Sequence, residues 1–160
     1  MSNEVRLLGR PQIVVAGQVL EPPADRRSAL LYYLARAASW VMREDLLYLF
    51  WPDSHEERAR TNLRQLVHTL RESPFANGLQ VDRTRLMWEG RSDVRTWSDV
   101  TSMAAADLTW PGEFMEGFRL GGAPEFTSWL DLEREAWRNL YRTRLLEFAH
   151  AEGDGNADRV

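Results

Sequence analysis

A chain of 160 residues is long enough for one domain or two small ones, and its 44% hydrophobic residues, with seven tryptophans and six phenylalanines, can supply a core. It has no cysteine, which excludes disulfides, thiolate metal sites and cysteine nucleophiles. It also has no apolar run near the ~18 residues of a membrane span and no signal-peptide pattern at its N-terminus. These features predict a cytoplasmic protein without membrane partners. The net charge of −4 is uneven, since residues 1–95 carry 14 arginines against 12 acids (+2) and residues 96–160 carry 6 against 12 (−6).

The N-terminal segment has the pattern of a small antiparallel sheet. Apolar side chains predict a first strand that ends at 9–11 (Val5, Leu7, Leu8). Two further strands, 12–15 and 18–20, are predicted on either side of Ala16-Gly17, which is a plausible hairpin turn.

Two helices are predicted next. Apolar residues at i, i+3, i+4 and i+7 indicate a first helix over 26–38 (Leu30, Tyr33, Leu34, Ala37), and Asp25 is a suitable N-cap. A second helix is predicted over 43–51 with its apolar side chains inward (Leu46, Leu49, Phe50). Pro52 ends it, because the residue before a proline avoids the α region.

The third predicted helix, at about 55–72, is the most informative element. Ser54 and Glu57 match the S-x-x-E capping box at its start, which leaves a turn of about three residues, 52–54, after the second helix. An apolar stripe recurs at helical spacing (Ala59, Leu63, Leu66, Val67, Leu70). The opposite face carries polar and arginine side chains (Arg58, Thr61, Gln65, His68), and one shoulder carries three more arginines (Arg60, Arg64, Arg71).

A β-hairpin is predicted after this helix. Strands at 79–81 and 86–88 flank a tip at 82–85 that carries Arg83, Thr84 and Arg85. The predicted fold is therefore an α+β winged helix-turn-helix, with a small N-terminal antiparallel sheet, three helices and a C-terminal hairpin as the wing. This module inserts one helix into the major groove of double-stranded DNA.

The candidate DNA-binding residues divide into two roles. Three side chains of the outer face are expected at base edges, those of Thr61, Gln65 and His68. Arg58 or Arg64 is expected to reach a guanine. Four arginines, two on the shoulder of the helix and two on the hairpin, are expected at phosphates (Arg60, Arg71, Arg83, Arg85). Thr84 lies between the last two at the hairpin tip and is also a candidate DNA-binding residue.

Beyond residue 90 the pattern changes, so we expect a DNA-binding domain over 1–90 and a helical one over 91–160. A helix is predicted at 93–106, followed by a loop rich in glycine and proline and a long helix from 124 or 125 to about 151. Aromatic and aliphatic residues give the long helix an apolar face too broad to leave in water (Phe126, Trp129, Leu130, Trp137, Leu140, Tyr141, Leu145, Phe148). We expect this face to pack on the first domain, on the 93–106 helix, on another chain or on sequence not included here.

Other chemistries have little support in the sequence. Asp53, Ser54 and His55 are neighbours at a helix start, whereas a catalytic triad converges from separate segments. The three histidines have no second ligand at helical spacing, and Asp154, Asn156 and Asp158 lack the rest of a calcium loop. No glycine pattern that cradles a phosphate is present. We therefore expect no enzyme activity, no metal and no cofactor.

Several segments together resemble a known family. In the first part they are Leu7-Leu8-Gly9 with Gly17, 26–31 with Leu34-Ala35, 43–46 with 50–53, and 62–65 with Leu70-Arg71. In the second part they are 112–118, 125–130 and 133–135. The chain resembles the SARP family of bacterial transcriptional activators, in which a winged helix similar to that of response regulators precedes a helical bacterial transcriptional activator domain (BTAD).

The resemblance implies a transcriptional activator with a TPR-like helical segment behind its DNA-binding domain. It also implies binding to direct repeats in promoter DNA, contact with RNA polymerase and self-association, such as a homodimer on DNA. Because 153–157 is typical of an inter-helix turn and the family stacks several helix pairs, we expect a fragment of a longer regulator. The alternative is a winged-helix protein-interaction module that does not bind DNA and acts through its helical half, which the net acidity favours.

Overall fold

A computed structural model describes residues 3–94 and 109–157 of the chain. The described residues form a mixed α+β fold with two small sheets and four helices, the last of them long. In chain order the elements are β1 (Glu4–Arg6), β2 (Gln12–Val15), β3 (Gln18–Leu20), α1 (Arg26–Ala37), β4 (Val41–Met42), α2 (Arg43–Phe50), α3 (Glu56–Arg71), β5 (Leu79–Val81), β6 (Arg85–Trp88), β7 (Arg91–Ser92) and α4 (Pro124–Ala157). None of these helices combines the length and the apolar character needed to cross a bilayer.

The first sheet has the strand order β3-β2-β1-β7. The predicted hairpin of β2 and β3 is confirmed, with Ala16 and Gly17 both at positive φ in its turn. β1 pairs antiparallel with β2, placing Val5 opposite Ile13, and both side chains are buried. β7 was not predicted. It pairs parallel with β1, which is distant in the sequence, and no local pattern encodes such a contact.

Helix α1 agrees closely with its prediction. The Asp25 carboxylate accepts a hydrogen bond from the Ser28 backbone N–H at 2.9 Å, and the Ser28 hydroxyl accepts one from the Asp25 N–H at 3.2 Å. This reciprocal pair satisfies two donors that a helix start otherwise leaves without partners. The buried side of α1 contributes Leu30, Leu31 and Leu34 to the core.

The connection between α2 and α3 differs from the prediction. It has five residues, 51–55, rather than three. Trp51 already leaves helical geometry ahead of Pro52, and the Ser54 N–H donates to the Trp51 carbonyl across the turn. The predicted Ser54–Glu57 capping box is wrong, because the helix starts one residue later, and His55 occupies the N-cap without a side-chain hydrogen bond.

The phase predicted for α3 is confirmed. Ala59, Leu63, Val67 and Leu70 are buried, and Leu66 is half-buried against the same core. The stripe packs on α1 and α2, so the helix presents its other side to solvent.

The predicted hairpin after α3 is present as the antiparallel pair β5–β6, in which Val81 lies opposite Leu86. β4 adds a third strand that was not predicted, giving the order β4-β6-β5. It is only two residues long and pairs Met42 with Arg85. The start of α2 is thereby attached directly to the tip of the hairpin.

The C-terminal part packs on the N-terminal part, and one core cluster contains residues of both. Phe126 of α4 stacks on Phe50 of α2 with ring centroids 5.6 Å apart, and Trp129 lies 4.8 Å from Tyr33 of α1. Of the partners predicted for the apolar face of α4, the N-terminal part of the helix, which contains Phe126 and Trp129, thus packs on the first predicted domain. Residues 95–106 of the predicted 93–106 helix lie outside the described residues.

The segment before α4 is attached to the first sheet through its backbone. Leu8 forms a bridge with Phe114, and the Met115 N–H donates to the Leu7 carbonyl at 2.6 Å. Gly112 permits this approach, since a Cβ on it would lie 2.6 Å from the Cα of Gly9. The Arg134 guanidinium of α4 then donates to three carbonyls of this segment, those of Phe114, Met115 and Phe118.

The end of α4 corrects one prediction. The helix continues through Ala157, so 153–157 is not an inter-helix turn. Gly153 and Gly155 each weaken a helix by only about 1 kcal/mol relative to alanine, and no proline follows to stop it. The expectation of a longer regulator therefore loses the local argument that this turn supplied.

Candidate nucleic-acid interface

The outer surface of α3 contains every candidate residue that was predicted on this helix. All are exposed, and no other described part of the chain covers them (Arg58, Arg60, Thr61, Arg64, Gln65, His68, Arg71). This exposure follows from the helix phase, because burying the stripe through Leu63 leaves the opposite side in solvent. The described part of the second half contacts the first part mainly through α2 and α1, and the candidate side chains of α3 stay exposed beside it.

Several of these side chains have partners within α3 or at its C-terminal cap. Arg60 pairs with Glu56 one turn earlier, and His68 Nε2 lies 3.4 Å from Glu72 Oε1. The Thr61 hydroxyl donates to the Glu57 carbonyl at 3.0 Å. Exposed ion pairs of this kind contribute roughly 0–1 kcal/mol, so a stronger anionic partner can displace them.

Arg64 donates to the Thr61 hydroxyl oxygen at 3.4 Å. The other outer side chains, those of Arg58, Gln65 and Arg71, make neither a hydrogen bond nor an ion pair with residues 3–94 and 109–157. The guanidinium groups of Arg58 and Arg71 can therefore donate hydrogen bonds to another molecule. The amide of Gln65 can both donate one through its nitrogen and accept one through its oxygen.

The hairpin tip is ordered by one carboxylate. Asp82 accepts hydrogen bonds from the Thr84 N–H at 2.9 Å, the Arg85 N–H at 3.0 Å and Arg85 Nε at 2.8 Å. The hydrogen bond from the Arg85 side chain, followed by that from the Thr84 backbone, lowers the pKa of Asp82 from 3.8 to about 2. The tip is thus held as a tight turn that leaves Arg83 and Thr84 exposed.

Arg85 has a different environment from Arg83. Its guanidinium is paired with Asp82 and lies over the ring of Trp40, with 4.1 Å from Cζ to the ring centroid. The side chain is 43% exposed. A phosphate contact by Arg85 stays a prediction, and it would compete with these two internal interactions.

A cleft of about 400 Å³ lies between α2, α3 and the hairpin tip. It brings together four of the predicted residues, which come from two separate elements (Arg60, Arg64, Arg83, Thr84). The apolar side chains of Leu47 and Leu63 also line it, together with Met42 and Glu44. Arg58, Gln65 and His68 do not line this cleft.

Arg43 also lines the cleft and was missed by the sequence analysis. Its N–H donates to the Thr84 carbonyl at 2.9 Å and its Nε to the Asp82 carbonyl at 3.2 Å. Burial lowers the pKa of Arg43, and the positive charges of Arg71 and Arg64 lower it further. One signal was available in the sequence, since an arginine in the first turn of a helix opposes the preference of the helix dipole for acids.

Other ligand chemistry finds no site in the described parts of the chain. Residues 3–94 and 109–157 contain no group of three or more histidine, cysteine, aspartate or glutamate side chains that could hold a metal ion. Asp53, Ser54 and His55 are all exposed in the turn before α3. In comparisons with known proteins, no family model matches the chain and no curated protein is significantly similar to it.

Proposed function

We propose that this protein is a sequence-specific, double-stranded DNA-binding transcriptional regulator of the winged helix-turn-helix type. In this proposal α3 enters the major groove and the β5–β6 hairpin acts as the wing. The observation that carries the proposal is the division of α3 into a buried aliphatic stripe and an exposed side of arginine and hydrogen-bonding groups. This side lies next to an exposed arginine on the hairpin tip.

The dimensions of α3 are compatible with groove binding. Sixteen residues give a helix of roughly 24 Å, and a major groove about 12 Å wide admits one α-helix. Gln65 offers both the donor and the acceptor that a bidentate contact to adenine requires, and Arg58 or Arg64 can contact guanine in the same way. Arg60, Arg71 and Arg83 are then the proposed phosphate contacts, with Arg85 subject to its internal pairing.

The partners and the direction of regulation rest on the family resemblance. By that resemblance the protein is a cytoplasmic activator that binds promoter DNA, contacts RNA polymerase and pairs with a second copy on its site. The residues of α4 beyond Trp137 would belong to the surface available for such contacts, since Leu145 and Leu146 are exposed.

The first test is the salt dependence of binding to a fluorescently labelled duplex, measured by anisotropy. If four to six arginines contact phosphates, the logarithm of the association constant should fall with a slope of roughly −4 to −5 against the logarithm of salt concentration. Random duplex should bind more weakly than a selected site. Absence of any duplex binding at low salt would overturn the proposal.

The second test separates base reading from backbone contact at Arg64. Arg64→Ala should weaken binding without unfolding the chain, because the side chain is exposed. Arg142→Ala removes the same charge from the exposed side of α4 and should bind like the wild type. A loss confined to the selected site identifies Arg64 as a base reader, and an equal loss on all duplexes identifies a phosphate contact.

A protein-interaction module is the second candidate function. It is favoured by the apolar side chains that α4 leaves in solvent, among them Leu132 at 67% and Leu146 at 57% exposed. Such a module would show no mobility shift with duplex at low salt. Leu146→Ser would then weaken association with the protein partner while leaving thermal stability unchanged.

A further inference from the structure

We propose that the cleft between α2, α3 and the hairpin tip holds a backbone phosphate of the bound duplex, with Arg43 as an additional contact. This inference rests on the proposed function and adds a residue of α2 to an interface so far assigned to α3 and the hairpin. It also names the ligand group that the cleft takes, a phosphodiester.

The geometry of the cleft is suited to an anion. Guanidinium groups reach it from three elements, Arg43 from α2, Arg60 and Arg64 from α3, and Arg83 from the hairpin tip. The Thr84 hydroxyl adds a further donor, and Glu44 is the one carboxylate among the described residues that line the cleft. Arg60 also pairs with Glu56, which compensates part of the positive charge.

The backbone around Arg43 fixes its side chain at this place. Its N–H and its Nε are both bonded to carbonyls of the hairpin tip, those of Thr84 and Asp82. The two terminal nitrogens remain without a hydrogen bond to the described residues, and they are the ends that reach furthest from the backbone. Because Arg43 is anchored in this way, it gives up little conformational entropy on binding an anion.

The electrostatics give a reason for an anion at this position. Burial lowers the pKa of Arg43, the positive charges of Arg71 and Arg64 lower it further, and the carboxylate of Asp82 offsets part of this shift. The like charges of Arg43 and Arg64, which both line the cleft, destabilise the free protein, and a phosphate between them reverses the sign of that interaction. The apolar side chains of Leu47 and Leu63 in the lining strengthen the attraction, because they exclude water from part of the cleft.

The experiment uses the full chain and a labelled duplex, with binding measured over a series of salt concentrations. Arg43→Gln should make the log–log slope less negative by roughly 0.9, the value for one lost phosphate contact. It should also weaken binding severalfold at fixed salt. Arg43→Lys loses the planar guanidinium group but keeps the positive charge. Because the slope depends on that charge, it should equal the slope of the wild type. Arg142→Gln, which removes an exposed arginine from α4, should change nothing.

Each outcome bears on the inference. If Arg43→Gln binds with the wild-type slope, or if Arg43→Lys loses slope as Arg43→Gln does, Arg43 acts only by bracing the hairpin and the inference fails. The proposed function survives in both cases, because the wild type still binds. If the wild type does not bind duplex at all, both the function and the inference fail.

A second variant keeps the test independent of the hydrogen bonds made by Arg43. Glu44 is exposed at the rim of the cleft, so Glu44→Gln should fold normally and should tighten duplex binding two- to threefold by removing a repulsive charge. Glu147→Gln on α4 is the matched control and should leave affinity unchanged. Equal affinity of Glu44→Gln and the wild type would show that no phosphate lies in the cleft.

Discussion

Replacing Arg134 by methionine should destabilise the whole fold, since this side chain attaches α4 to the segment that pairs with the first sheet. Its guanidinium donates to the carbonyls of Phe114 at 2.9 Å, Met115 at 2.7 Å and Phe118 at 3.3 Å. A hydrogen bond from a charged donor contributes about 1.5–3 kcal/mol. We count only the two shorter bonds and take the lower end of that range, because the site is partly solvated. The free energy of unfolding should then fall by about 3 kcal/mol.

Urea denaturation followed by tryptophan fluorescence measures this loss. With an m-value of about 2 kcal/mol per molar, 3 kcal/mol lowers the midpoint by about 1.5 M urea. Arg142→Met removes an arginine from the exposed side of the same helix and should cost less than about 0.5 kcal/mol. If Arg134→Met lies within 0.5 kcal/mol of this control, the three hydrogen bonds do not hold the two parts together and the reasoning is refuted.

Three further predictions concern the first half of the chain. Leu63→Asp places a charge at a position that is 2% exposed and should abolish the folded state in circular dichroism; a folded variant would mean that the α3 phase is wrong. Asp25→Ala removes the α1 cap and should cost about 1 kcal/mol, visible as a fall of roughly 2–4 °C in the melting temperature; an unchanged melting temperature would contradict it. Because Asp82 has its pKa lowered from 3.8 to about 2, the stability that its carboxylate contributes is present above 3.8 and is lost as the pH falls toward 2; a side-chain carboxyl resonance that titrates near 3.8 would count against it.

Local patterns sufficed for elements whose stabilising contacts lie close in sequence. The β2–β3 hairpin follows from alternation on both sides of Ala16-Gly17, and α1 from apolar spacing together with the Asp25 cap. The side of α3 that faces solvent followed from periodicity alone, because a helix with one aliphatic stripe has only one way to bury it. That periodicity also located seven of the ten candidate residues on an exposed surface.

Features that depend on distant partners were not predictable in this way. β4 and β7 are two residues long and form only because β6 and β1 are adjacent in space. The capping box at Ser54 failed for a different reason. The S-x-x-E pattern is permissive, and α3 starts one residue further along, with His55 rather than Ser54 at the N-cap.

The candidate site shows the same limit. Arg83 and Arg85 are two residues apart and looked equivalent in the sequence, yet only Arg85 meets a carboxylate and an indole ring. Arg43 looked like an ordinary residue of the α2 start, and its place in the cleft depends on the pairing of β4 with β6. Side-chain partners across elements decide both cases, and a single sequence does not specify them.

The stacking of Phe126 on Phe50 has a practical meaning for anyone who trims this protein. A chain cut after residue 92 would keep the whole surface proposed to touch DNA, but it would leave the rings of α2 and α1 uncovered and prone to aggregation. Trp137 is also buried, with the guanidinium of Arg36 of α1 over its ring, so a shortened chain should extend at least to this residue. By the same token, substitutions around Phe126 that abolish activity report on folding and should not be taken as evidence for a regulatory contact.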